Sequence, residues 1–542
     1  MPEAEAKMAF LKGKAKRILR FDVGDGRFEL TESERGAPRM LGGRRDKSRV
    51  KNRGDERRPI PKSTKKLREL LCAEFSTDRN PDLILRPFKV GGGRDALAVY
   101  MNGMADDGSI NDFILRPLMR YAGGDMSLGA LSEDAIEIAE TKREDDLSKA
   151  MSAVLDGMTA LFVDGEKRCL LLETRGYEKR AIGPAENEQV VIGPNESFTE
   201  SLRTNITLIR RILRIKELIA EPLPSGGGND TDLALIYRNG VTDERLVAEV
   251  KRRLDKADAF ALTSSGMLEQ LIEDSGVSPL PQMLSTERPD RAAAHVMRGR
   301  VCILLEGSPK ALILPVTLFT LLDSPEDFYM RRPLGTVIRV VRYVGAAVSV
   351  LLPGYFLALA LYHQGVLSTE VLSTVIASRR MVFEPIGVEM ILLLLIFQMI
   401  REAGQRVPGS IGQAIGIIGG LIMGQAAVAA NLASSVVLII VAASGLGNFC
   451  IPDYQTQIAA SYFRMALVIS AWMGGLLGIV AALLLSLCLL SGMKSFGVPF
   501  LAPFAPKTER NKPLVIRGRL GGSPTDDELN TSFDARIRGT ED

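Results

Sequence analysis

Ser410–Asn431 reads SIGQAIGIIGGLIMGQAAVAAN, a stretch without a formal charge that sets Gly412, Gly416, Gly420 and Gly424 four residues apart. In water so many glycines argue against a helix, since each costs about 1 kcal/mol relative to Ala. In a bilayer no water competes for the backbone hydrogen bonds, and a stripe of small residues lets helices approach closely. The stretch is expected to be a membrane helix that packs against protein through its glycines. Gln413 and Gln425 fit interhelical hydrogen bonding better than ion ligation.

Charge is nearly absent around this stretch, from about Leu334 to about Leu490, whereas the chain up to about residue 330 is rich in it. The averages over 542 residues (46% hydrophobic, 25% charged, net charge +3) therefore mix two unlike parts. Five apolar segments stand out, at about 335–362, 384–402, 410–430, 432–450 and 462–491, each approaching the roughly 20 residues that cross a hydrocarbon core. Pro353 marks a kink in the first. Arg331, Arg332, Arg339 and Arg342 surround the start of that segment and put the preceding region in the cytoplasm. They are also the expected coupling between that region and the membrane. Lys494, Lys507, Arg510 and Lys512 favour the same side for the tail. Five full crossings cannot leave both ends on one side, so one segment is expected to be a half-span, with 410–430 and 432–450 the suspected pair.

A charge at the membrane centre costs at least ~2.5–3.5 kcal/mol, so the polar residues of this block carry functional information. Glu384, Glu389, Gln398 and Glu402 are the candidate ion pathway. Glu384 and Glu402 are eighteen residues apart and share one face of a continuous helix. The plainer alternative makes Glu384 and Glu402 interfacial, Glu402 pairing with Arg401 or Arg406, and leaves only Glu389 deep.

The charged region contains an internal duplication. Gly91-Gly92-Gly93-Arg94-Asp95 leads into ALAVYMNGMADD, and Gly226-Gly227-Gly228-Asn229-Asp230 leads into LALIYRNGVTDE. Each β-rich run ends at an Asn-Gly turn, followed by an aspartate (Asp106, Asp243) placed to cap a helix. ALFVDGEKRCLLLE (160–173) and CILLEGSPKALIL (302–314) then read as matching hairpins. The glycine triplets fit turns, since neither opens a helix as a phosphate-binding loop does. Between the copies, Ser197 or Thr199 is expected to cap a helix with Leu202, Ile206, Ile209 and Leu213 on one face. Glu287, Arg288, Asp290 and Arg291 are read as local ion pairs.

Five dispersed cysteines and two distant histidines encourage neither disulfides, a metal site nor a catalytic triad. No catalytic residue, metal or cofactor is expected. The N-terminus lacks the apolar core of a signal peptide, so the soluble part is expected to stay on the side where it is made. The expected fold is an α+β cytoplasmic region of two related α/β lobes followed by an all-α polytopic membrane domain. Its parts are a basic, disordered arm (1–65) without the aromatics of a nucleic-acid binder, a first lobe (66–195), a helical connector with a Gly-rich joint (196–227) and a second lobe (228–330). The transmembrane domain (331–493) follows, and then a collar of three Pro and three Phe, SFGVPFLAPFAP, with a disordered tail (494–542).

GPNESFTESLRTN, EQLIED with SPLPQMLSTERPDR, SPEDFYMRR, GQAIGIIGGLIMGQAAV, IPDY and SFGVPFLAPFAP occur in this order. Together they resemble the A subunit of the GerA-type spore germination receptors, from about residue 66 to about 507. Asp453 stands where that family usually has Asn. The resemblance implies a subunit of an oligomeric, nutrient-gated cation channel in the spore inner membrane, working with a transporter-like B subunit and a lipoprotein C subunit. In that family the germinant pocket is placed in the B subunit, so no germinant-binding residue is assigned here. A paralogous accessory channel protein, a secondary transporter and a non-conducting scaffold remain open as alternatives.

Overall fold

The computed structural model describes residues 57–91, 93–176, 183–185, 188–224, 231–256, 262–276, 278–406 and 424–505. Most of the basic arm, the second glycine triplet, Gly412, Gln413, Gly416, Gly420 and the tail from Pro506 lie outside them.

Two five-stranded antiparallel sheets are built to one plan. In the first, β1 (Leu83–Val90), β2 (Arg94–Met101), β3 (Thr141–Glu144), β4 (Thr159–Val163) and β5 (Cys169–Leu172) run in the order β1-β2-β4-β5-β3. In the second, β6 (Leu218–Pro224), β7 (Asp232–Arg238), β8 (Leu284–Thr286), β9 (Val301–Leu305) and β10 (Ala311–Leu314) run in the order β6-β7-β9-β10-β8. The order is the same position for position, and so are the turns. Gly103 and Gly240 follow their asparagines at φ +78° and +74°, and Gly165 and Gly307 close the two later hairpins at +87° and +78°. These are left-handed conformations that glycine adopts without a Cβ penalty.

Alternation along the strands splits each lobe into two apolar layers. In the first lobe Leu97 and Val99 face α1 (Thr64–Phe75) and α2 (Leu147–Leu155), while Ala96 and Ala98 face Ile110, Ile114 and Leu118 on the opposite side. The second lobe is flanked by α3 (Leu202–Ile212), α4 (Glu244–Lys256), α5 (Ser265–Ile272) and α6 (Pro289–Met297). Helices α3 and α6 join one layer, α4 and α5 the other. The stretch read as a connector therefore supplies the second lobe with its leading helix and first strand, as α1 and β1 do for the first lobe. Its helix is capped by Ser201, whose Oγ accepts from the Thr204 N–H at 3.4 Å, and not by Ser197 or Thr199. Thr199 is held in the preceding loop by Asn205, whose Oδ1 accepts its N–H at 2.7 Å.

Short helices α7 (Leu318–Leu322) and α8 (Glu326–Tyr329) lead into the helical domain: α9 (Arg332–Tyr362), α10 (Thr369–Arg379), α11 (Ile386–Arg406), α12 (Ser435–Asn448) and α13 (Tyr454–Gly492). Pro353 lies inside α9. Among the described residues α9 and α13 are long and apolar enough to cross a membrane.

Helix α13 is not one straight rod. Gly475 takes φ 58°, ψ −139°, and a Cβ on Gly478 would stand 2.0 Å from the Ser470 carbonyl oxygen, so the chain doubles back there. A straight helix of 39 residues would span about 58 Å. Instead both ends return to the second lobe: Gln455 donates to Glu269 at 3.0 Å, and Ser278 donates to the Met493 sulfur at 3.5 Å. The tip lies against the far end of α9, where the Tyr362 hydroxyl donates to the Trp472 carbonyl at 2.7 Å. The segment expected as a fifth crossing is thus a helical hairpin whose two ends lie on the lobe side, while most of the first member of the pair suspected of a half-span lies outside the described residues.

The described part of the collar is seated in the second lobe. Strands β11 (Lys494–Ser495) and β12 (Val498–Pro499) form a small hairpin. The Ser495 hydroxyl donates to the Gln282 carbonyl at 2.7 Å and accepts from the Val316 N–H at 3.0 Å. Phe500 enters one apolar layer of the lobe and Phe496 the other, with the Arg253 guanidinium 4.3 Å over the Phe496 ring.

Candidate functional site

Helix α3 is the surface on which the two lobes meet. Arg210, on its last turn and 3% exposed, reaches into the first lobe, donating to Asp82 at 2.8 Å and to Asn80 at 2.7 Å. Asn80 in turn donates to the Leu218 carbonyl at 3.3 Å, at the start of β6. Further along α3 the lobes separate into a cleft of about 330 Å³. Asp106 and Asp107 stand on its first-lobe side, and Arg203, Thr207 and Arg211 on the α3 side. Arg203 bonds Asn102 and lies 3.4 Å from Asp107. Asp106 caps its own helix through the Ser109 N–H at 3.1 Å, and the Ser109 hydrogen bonds hold its carboxyl below the ordinary carboxylate range. Carboxylates on one wall and guanidiniums on the other suit a small polar ligand of mixed charge.

A chain of ion pairs runs from the loop before α3 to α9. Arg288, 1% exposed, pairs with Asp290 at 2.8 Å and donates to the Pro194 carbonyl at 2.8 Å. Arg291 pairs with Glu188 at 2.8 Å and donates to the Asp323 carbonyl at 2.8 Å. Of the four charges read as local ion pairs, Arg288 and Asp290 pair within the motif, whereas Arg291 pairs with Glu188 and Glu287 lies 3.6 Å from Lys310. Glu326 accepts from the Val191 N–H at 2.7 Å, and Tyr329 bonds Asp290. The chain ends at Asp327, 1% exposed, which takes Arg342 through both carboxylate oxygens at 2.8 Å and Arg339 at 3.2 Å. Arg339 also lies 3.2 Å from Asp323. Of the four arginines expected at this junction, Arg339 and Arg342 are buried in it, and Arg331 and Arg332 are exposed. Asp327 itself was missed; its position on the short helix SPEDFYM facing two membrane-proximal arginines was the available signal.

The candidate ion-pathway residues do not come together. Glu384 precedes α11 and is exposed, so it shares no helical face with Glu402. Glu389, 2% exposed, accepts from the Ser434 N–H at 2.6 Å and lies 3.3 Å from the Arg379 Nε. It fastens the start of α12 to α10 and α11 at the end remote from the lobes. Gln398 is half-buried, and Glu402 is exposed near the lobe-side end of α11. Gly424 packs toward Leu438 of α12, and Gln425 is exposed.

A second polar cluster escaped the sequence reading. Arg464, 2% exposed on the first arm of the hairpin, donates to the Ser444 hydroxyl at 3.1 Å and the Ser461 hydroxyl at 3.2 Å. Ser444 donates to the Ser349 carbonyl at 2.7 Å, and Ser349 to Asn448 at 3.4 Å, which ties α9, α12 and α13 together. Arg464 is the one charged residue between Asp453 and Lys494, a signal that was present in the sequence. Burial pushes the Cys169 and Cys302 thiols up to about 12, as inert core cysteines require. Among the described residues no three metal-ligating side chains converge.

Residues 70–523 match the model of the Bacillus/Clostridium GerA spore germination protein. Spore germination protein KA of Bacillus subtilis (strain 168) is 32% identical over 83% of this chain and 84% of its own length. The uncharacterized membrane protein YfkQ of the same organism is also 32% identical, over 85% of this chain and 90% of its own. The solved N-terminal domain of the A subunit of the Bacillus megaterium spore germinant receptor GerK3 is 28% identical, covering 47% of this chain and 96% of that domain at a TM-score of 0.38. Together with the two long apolar helices, these relatives point to membrane association. The chain belongs to the GerA family of spore germination proteins.

Proposed function

We propose that this chain is the A subunit of a nutrient germinant receptor in the spore inner membrane, with both lobes cytoplasmic and no catalytic activity of its own. It acts as a homo-oligomer with a transporter-like B subunit and a lipoprotein C subunit, and its bundle forms a ligand-gated path for monovalent cations. The observation that carries this reading, beyond family membership, is the buried ion-pair chain from the loop before α3 to Asp327, Arg339 and Arg342. A small ligand of mixed charge in the cleft between Asp106–Asp107 and Arg203–Arg211 would change how the lobes rest on α3. The ion-pair chain would pass that change to α9. Exposed Glu402, with Gln398 one turn before it, is the part of the expected ion pathway that can meet a hydrated cation.

Spores lacking this chain should lose potassium and sodium release to one class of nutrient and keep their response to others. Liposomes holding the purified receptor with all its subunits should conduct monovalent cations only when that nutrient is present. Liposomes that never conduct under these conditions would leave the chain as a scaffold. That second reading is favoured by one observation: Glu389, the deepest acid expected to meet ions, is occupied in holding helices together.

A further inference from the structure

The second lobe touches the hairpin at one contact whose strength depends on a proton. Glu269 lies on α5 and is 5% exposed. Its Oε2 accepts from the Gln455 Nε2 at 3.0 Å, at the first turn of α13. The charged groups that face it are both acids, Glu273 one turn along its own helix and Asp453 at the start of the hairpin. Asp453 is itself committed to capping α13, accepting the Thr456 N–H at 2.7 Å and its hydroxyl at 2.6 Å. The neighbouring contacts of the same lobe carry compensating charge. Asp274 meets Arg253 at 2.5 Å while it accepts from the Phe496 N–H at 2.6 Å. Among the described residues Glu269 meets no such cation.

We propose that Glu269 is a proton-operated latch: protonated, it holds the second lobe on the first arm of the hairpin, and ionised, it releases that arm. The protonated carboxyl fits the dry site and keeps the Gln455 hydrogen bond. The ionised form places a third negative charge beside Glu273 and Asp453 in a buried position. Burial, opposed by the Gln455 hydrogen bond and reinforced by those two acids, pushes the Glu269 carboxyl up to about 7. An exposed carboxyl on the undocked lobe titrates near its ordinary value, so docking takes up a proton. A raised carboxyl loses its contribution as pH rises, so docking is strongest below the ordinary carboxylate range and weakens progressively until the pH passes about 7. The same geometry operates whether or not the bundle conducts, and its test reads no ion flux.

The test is amide hydrogen exchange on the full chain in lipid nanodiscs at pH 6 and pH 8, corrected for the intrinsic pH dependence of exchange. Opening of 265–272 and 453–463 should be about tenfold more populated at pH 8. Glu269→Gln should be at least as protected as wild type at pH 6 and should show no pH dependence of opening between the two values. Glu273→Gln should move the transition to higher pH if ionised Glu269 were stabilised by that neighbour, and to lower pH if repelled by it, as the latch requires. Equal pH dependence in wild type and Glu269→Gln, or none in wild type, would overturn the proposal.

Discussion

Arg342 of the long apolar helix α9 holds Asp327 of the preceding lobe through two 2.8 Å contacts, and both side chains are almost wholly removed from solvent. Arg339, one turn earlier, meets the same carboxylate. With Asp323, which also meets Arg339, four charges share this joint between the lobe and α9. Removing the Asp327 carboxylate alone leaves the Arg342 guanidinium without its carboxylate in a dry site and Arg339 with Asp323, which costs about 3 kcal/mol. Asp327→Asn should therefore lower the thermal midpoint of the full chain sharply. Asp327→Leu combined with Arg342→Met should recover much of that loss while leaving germination impaired. Thermal unfolding of the purified variants, alongside nutrient-triggered ion release from spores carrying them, separates the joint's stability from its use.

Arg210 gives the interface between the lobes a buried anchor. Its guanidinium meets Asp82 and Asn80 of the first lobe from a helix that belongs to the second. Arg210→Met keeps most of the apolar stem and leaves Asp82 without its cation, a loss of about 3 kcal/mol in lobe docking. Amide exchange should rise in α3 and in the loop before β1 while the sheets themselves stay protected. Unchanged exchange in that loop would mean that the lobes are held elsewhere.

The duplication was legible because it is written in local chemistry. Asn102-Gly103 and Asn239-Gly240 demand left-handed turns in any context, and both copies obey. The extent of the second lobe was not, since α3 and β6 look like a free amphipathic helix and a short strand until Ile219 and Leu218 meet the opposite layers of the sheet. The hairpin was hidden for a related reason. In a run as apolar as 462–491, Gly474-Gly475 reads as packing, and only the return of Met493 to Ser278 exposes it as a reversal. Glu389 was legible as a residue out of place among apolar neighbours, but its partner Arg379 lies in a segment that hydropathy passes over. Long-range pairing of this kind leaves no periodic trace.

The two glutamates of α11 should respond differently to loss of charge. Glu389→Gln removes the carboxylate partner of half-buried Arg379 and weakens the buried acceptor for the Ser434 N–H, so it should destabilise the bundle by about 2 kcal/mol. Glu402 is exposed, and Glu402→Gln should leave the thermal midpoint within about 0.5 kcal/mol of wild type while changing the rate or selectivity of cation release. Thermal unfolding and ion release measured on both variants decide the matter. A stable Glu389→Gln protein with altered selectivity would return that residue to the pathway.

The reversal at Gly475 makes a topological prediction. Its backbone conformation suits glycine, and a Cβ there would meet the Tyr362 ring at 3.0 Å. Across the tip, Gly387 lies so close to Trp472 that a Cβ would stand 2.6 Å from the indole. Reporters fused after Arg331 and after Ala505 should therefore lie on the same side of the membrane, with a tag inserted at Gly474 on the other. Gly475→Val should disrupt the tip, because a β-branched residue resists this φ and collides with Tyr362. Opening the reversal separates Met493 from Ser278 and withdraws Phe496 and Phe500 from the second lobe, so protease should cut near residue 496 in the variant and spare it in the wild type. Opposite-side reporters at 331 and 505, or an uncut Gly475→Val chain with intact germination, would remove the hairpin.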